Sequence, residues 1–128
     1  MDRTPPVEDN TSLVRRAFEL FNARDLEGLS AIMAPDGELF PYAIEDQRSI
    51  GYHGHEGLRQ YLGDVDTLFE SFQVEITEVR DVTEDVVLAS GFLHGKTRTG
   101  DQLDMPAGWL WTVRDGVVAR MQAHPDAE

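Results

Sequence analysis

Four imidazoles, His53, His55, His94 and His124, and the phenol of Tyr42 are the side chains of this chain best suited to moving a proton. Histidine titrates near neutral pH and can serve as acid or base beside a carbonyl. A tyrosine hydroxyl can donate to the carbonyl oxygen itself. His53 and His55 bracket Gly54, and a His-x-His pair in extended backbone points both rings one way, as metal ligands would. No third and fourth ligand stands at a recognisable spacing, so no metal is expected. His55 and Glu56 instead fit the exposed first turn of a helix, leaving His53 either at the mouth of a pocket or on the surface. His94 shares strand parity with Leu88, Ser90 and Phe92, and sits at a pocket rim only if that face is concave. Asp104 has the opposite parity from Trp109 and Trp111 and reads as a surface charge.

The last strand poses the sharpest question. Arg120, Gln122 and His124 alternate with Met121 and Ala123. Either the polar set lines a pocket, where a buried arginine needs an acidic partner or an anionic ligand, or the apolar set does and the polar set lies outside. The candidate apolar lining is Phe18, Phe21, Phe40, Tyr42, Tyr61, Phe72, Phe92, Met105, Trp109 and Trp111. Two tryptophans one residue apart project from the same strand face and suggest an aromatic wall.

The elements that position these residues follow from hydrophobic period. A cap at Asp9 or Asn10 precedes Leu13, Val14, Ala17, Phe18, Leu20 and Phe21, a helix ending near 22–24. Asp25 caps a shorter helix through Leu26, Leu29, Ile32 and Met33, stopped by Pro35-Asp36-Gly37. Residues 38–42 predict a short edge strand because of Pro41, and 43–52 are polar and irregular. Leu58, Tyr61, Leu62, Val65, Leu68 and Phe69 mark a third helix, through about Glu70. The period then changes to two: Phe72 to Val79, Val86 to His94, Gln102 to Arg114, and a final strand after Asp115-Gly116, a pair suited to a tight hairpin turn. Helices first and consecutive strands last predict an α+β fold.

Composition narrows the function classes. The 128 residues carry 24 acidic and 11 basic side chains, a formal charge of -13, which argues against nucleic acid or an anionic membrane as partner. With no cysteine there is no disulfide, thiolate metal site or thiol nucleophile. Apolar runs are too short for a membrane span, and residues 1–8 read as a disordered leader without a signal-peptide core, so a cytoplasmic location and a single domain over 9–128 are expected. No dinucleotide loop, phosphate loop, nucleophile elbow or zinc helix is present, and no cofactor is expected.

Three segments, Leu13 to Phe21, Gly51-Tyr-His-Gly-His-Glu-Gly-Leu-Arg-Gln-Tyr-Leu62 and Trp111-Thr-Val-Arg-Asp-Gly-Val-Val118, resemble the NTF2-like superfamily. Within it the chain is similar to the SnoaL-like group of polyketide cyclases and ketosteroid isomerase relatives. The resemblance implies a cone: N-terminal helices on a strongly curved, mainly antiparallel sheet around a central pocket, and a homodimer through the outer sheet face. The isomerase chemistry does not carry over. It needs a carboxylate base after the first strand and a tyrosine with a protonated aspartate as oxyanion hole; here Phe40-Pro41-Tyr42 supplies no acid and Trp109 falls where the aspartate would be. Two readings remain. The first is a cofactor-independent enzyme moving a proton on a small hydrophobic carbonyl compound, with His53, His94, His124 or Tyr42 catalytic and Phe18, Phe40, Tyr61, Phe92, Met105, Trp109, Trp111, Arg120 and Gln122 binding. The second is a noncatalytic module for a small hydrophobic ligand or for assembly. All four histidines outside the pocket, with no carboxylate inside, would tell against the first.

Overall fold

The computed structural model describes residues 9–41 and 51–124. Helix α1, Asn10–Asn22, starts where the Asp9 carboxylate accepts the Ser12 N–H at 2.9 Å, a bond that also holds the Asp9 pKa below its ordinary value. Its apolar stripe of Leu13, Val14, Ala17, Phe18 and Phe21 is buried. Helix α2, Leu26–Ala31, is capped in the same way by Asp25 on the Gly28 N–H, at 2.9 Å.

The second helix ends earlier than the turn signals suggest. Strand β1 runs Met33–Phe40 and carries Pro35-Asp36-Gly37 within it. These residues act as an irregularity, not a stop: the register against the last strand shifts between Met33 and Glu38, which removes the need for a proline N–H in the ladder. Strand β2, Tyr52–His53, pairs antiparallel with β1 and leads directly into helix α3, Gly54–Leu68. That helix gives way without a loop to strand β3, Phe69–Asp81, so Leu68 is left exposed where the helical period would bury it. Strands β4, Val86–Thr97, β5, Gln102–Arg114, and β6, Val117–His124, complete an antiparallel meander. The left-handed turn between β5 and β6 falls on Asp115 (φ 56°) and Gly116 (φ 79°), as their types require.

The sheet order is β2-β1-β6-β5-β4-β3, and β1 lies parallel to β6. The result is an open, mixed, mostly antiparallel sheet curled around the helices, which is the expected α+β cone. Register shifts in β3, at Phe69/Ser71 and Ile76/Glu78, and between β5 and β6, at Thr112/Val113, supply bends. At one bend the strands approach so closely that a Cβ on Gly91 would collide with the Glu75 carbonyl oxygen. Among the described residues no helix is long and apolar enough to cross a membrane. The leader 1–8 and residues 42–50, with Tyr42 among them, lie outside the described residues.

Candidate ligand pocket

Alternation sorts the strands into two faces. On β4, Val87, Ala89 and Leu93 turn inward and are buried. Across from them on β5 stand Trp109 and Trp111, paired in turn with Ala123 and Met121 of β6. The helices close this concave face with Phe18, Phe21, Leu58 and Tyr61. A cavity of about 60 Å³ remains between helices and sheet. At roughly 10–15 Å³ per water, that space corresponds to about four to six waters, the size of a small ring compound. Met33 and Met121 are in the wall, and their unbranched side chains can repack around a larger body.

The wall is a set of interlocked rings. Phe18 meets Trp109 edge-on at 5.0 Å and Trp111 at 5.1 Å, and Phe21 stacks on Tyr61 at 5.7 Å. Its chemistry is nearly all hydrocarbon: among the described residues, none that lines it is a histidine, aspartate, glutamate, lysine or arginine. Trp111 and Tyr61, like Trp109, are lining residues that carry a polar side-chain group. Trp111 Nε1–H is sealed from solvent and has no partner among the described residues, a state that costs about 1–3 kcal/mol for a neutral group. The Tyr61 hydroxyl makes no hydrogen bond to a described residue, and burial pushes its pKa up, so it stays neutral.

The candidate acids and bases are elsewhere. His94 lies on the convex face with Phe92, which is 40% exposed. Its ring is held between Asp104 Oδ1, 2.7 Å from Nδ1, and Glu75 Oε1, 2.9 Å from Nε2. The Asp104 bond first, then the Glu75 bond, raise the His94 pKa, while His94 lowers that of Asp104. His53 is exposed, with Nδ1 3.5 Å from Glu38 Oε2. His55, in the first turn of α3 as expected, is exposed and bonds through Nε2 to the Met33 carbonyl at 2.9 Å.

Of the alternatives for the last strand, the apolar one holds. Met121 lines the cavity, whereas Arg120, Gln122 and His124 pair across the sheet with Thr112, Leu110 and Gly108, on the convex side. The reason is solvation: a guanidinium in this hydrocarbon wall would have no counter-charge. Outside, the Arg120 guanidinium instead covers the Phe40 ring at 4.8 Å. Phe40 and Phe92 are thus outer-face residues, and Met105 packs at the edge of the core without lining the cavity. Phe18, Tyr61, Trp109 and Trp111 line it as expected.

Sequence reasoning missed the pairing of His94 with Asp104, although a signal was present. A hairpin centred on Thr99 sets 94 opposite 104, as it sets Lys96 opposite Gln102. Leu39, Met33 and Ile32 in the wall were also missed: the turn signals of Pro35-Asp36-Gly37 hide that β1 begins at Met33, and an edge strand of 38–42 gives no sign that Leu39 faces inward.

Residues 14–121 match the family of the SnoaL-like domain. Among solved structures, an NTF2-like protein of unknown function from Burkholderia pseudomallei superposes with a TM-score of 0.79 at 22% identity, covering 92% of this chain and 91% of that one. TerC, co-crystallised with polyporic acid, gives 0.77 at 26% identity over 89% and 88%. A protein from Jannaschia sp. CCS1, provisionally named a SnoaL-like polyketide cyclase, gives 0.76 at 22% identity over 97% and 90%. No curated protein matches the sequence.

Proposed function

The chain belongs to the SnoaL-like domain family, and from that premise we propose that it binds a small hydrophobic molecule in its cone without performing acid–base chemistry on it. The observation that carries this reading is the composition of the cavity wall, in which none of the described lining residues carries an imidazole or a carboxylate. Proton transfer requires such a group within about 3 Å of the reacting atom. The competing reading, an isomerase-, cyclase- or dehydratase-type enzyme acting on a hydrophobic carbonyl compound, draws support from the family and from names such as that of the Jannaschia protein. Of its candidate residues, His53, His94 and His124 are not in the wall, which leaves Tyr42 as its remaining candidate. That TerC was co-crystallised with polyporic acid supports an organic ligand for this fold.

A ligand that binds only the folded chain raises its melting temperature. With acetophenone as probe at ten times its Kd, the stabilisation is about 1.4 kcal/mol, or a shift of about 4–7 °C for a chain of this length. Ala17 lines the cavity, and Ala17→Leu fills it, so the shift should vanish in that variant. An unchanged shift in Ala17→Leu, or none in the wild type, would contradict the reading.

A further inference from the structure

Among the described residues the cavity wall holds one hydroxyl, that of Tyr61, and its meaning rests on the ligand reading above. Tyr61 is only 8% exposed, its ring packed against Phe21, stacked at 5.7 Å, and Tyr52, tilted at 5.4 Å. The two tyrosines differ in what their oxygens meet. The Tyr52 hydroxyl donates to Asp64 Oδ2, and Tyr52 is not in the wall. The Tyr61 hydroxyl bonds to no described residue. Among those residues, Trp111 Nε1 is the one buried side-chain nitrogen or oxygen that is both unpaired and sealed. The Tyr61 oxygen, unpaired as well, therefore touches open space. It lies too deep for that space to be bulk water, since burial is the chief cause that pushes its pKa up. The space is the cavity that Tyr61 lines.

A buried polar group is nearly always paired, so whatever fills the cavity has to meet this one. A ligand oxygen can do so and a hydrocarbon cannot, at a cost in affinity. A phenol both donates and accepts, so a carbonyl and a hydroxyl serve alike. A charge does not serve. No buried residue among those described is charged. Arg24, whose field reaches Tyr61, is outside the wall and is spent on the carbonyls of Phe21 and Phe72, each at 2.8 Å. A carboxylate would lose its hydration there and gain no counter-charge. We propose that Tyr61 is the specificity-determining residue of this cavity, its hydroxyl pairing with the single carbonyl or hydroxyl oxygen of an uncharged ring compound.

Calorimetric titration of the wild type and of Tyr61→Phe, which removes one oxygen, tests the pairing. The probes are close in size: acetophenone, 1-phenylethanol, α-methylstyrene, in which a methylene replaces the carbonyl oxygen, and benzoate. The wild type should bind acetophenone and 1-phenylethanol about three- to tenfold more tightly than α-methylstyrene, the range of one neutral hydrogen bond. Benzoate should bind least. In Tyr61→Phe neither oxygen-bearing probe should outbind α-methylstyrene, whose own affinity should be unchanged. The melting temperature of the ligand-free variant should not fall, because the hydroxyl has no partner to lose. Equal binding of the neutral probes by the wild type overturns the proposal and leaves the ligand reading intact. A preference that survives in Tyr61→Phe overturns the role of Tyr61 and moves the contact to an indole N–H of the wall. Tightest binding by benzoate overturns the uncharged class. A Tyr61→Phe chain that melts lower or does not fold shows the hydroxyl bonded within the protein and overturns the pairing too. Failure of all four probes to bind overturns the ligand reading and this inference together.

Discussion

The two faces of one sheet hold opposite chemistry. The concave face, from Leu93 through Trp109 and Trp111 to Met121, presents hydrocarbon. The convex face of the same strands carries the Glu75–His94–Asp104 chain and Arg120 over Phe40. Neighbours in sequence, such as Leu93 and His94 or Arg120 and Met121, are separated by the thickness of the sheet. Titratable side chains are therefore abundant on the convex face and absent from the described residues of the cavity wall, Tyr61 excepted. The lesson is that an inventory of histidines says little until strand parity assigns each a face.

The most severe way to break this division is to put a charge on the wrong side. Leu93→Asp should cost at least about 4 kcal/mol, by combining a lost core side chain with a buried carboxylate, and urea unfolding should find the variant largely unfolded. Gln122→Glu, on the convex face, should stay within about 0.5 kcal/mol of wild type. If the two variants were equally stable, the assignment of faces would be wrong. Phe18→Ala removes the ring that packs on both tryptophans and should cost about 3–5 kcal/mol by the same measurement. Gly91→Ala tests the curl that creates the cavity. Its methyl would force β3 from β4 and should cost about 1–3 kcal/mol.

The smallest effect is on the convex side and shows only in pH. The folded His94 pKa lies above its ordinary 6.5, so its contribution is full below that value and is lost as pH rises through the folded pKa. The folded Asp104 pKa lies below 3.8, so its contribution is present above that value and is lost as pH falls through the folded one. His94→Gln should remove the alkaline loss and flatten the melting temperature above neutral pH. A slope there equal to that of the wild type would show that the triad does not contribute.

Much of the fold was legible because the helix and strand periods are clean: α1, the meander from β3 to β6 and the Asp115-Gly116 turn stand close to where the residues put them. The parallel pairing of β1 with β6 was not, since nothing local specifies a partner some 80 residues away. The aromatic wall was half legible, through Phe18, Tyr61, Trp109 and Trp111. The face of β6 was not, because alternating polar and apolar residues fit either side until the core chooses. That Trp111 Nε1–H has no partner among the described residues was illegible for the same reason: it is a property of everything around the ring.

The most direct test of a cavity that binds without acid or base is deuterium exchange into the methyl group of acetophenone. Exchange there requires removal of a proton next to a carbonyl, the step that the competing acid–base reading requires. Followed by proton NMR in D₂O with the pocket saturated, the exchange should proceed at the rate seen in buffer alone. An acceleration by the wild type that Ala17→Leu abolishes would contradict this account and locate a catalyst inside the cone.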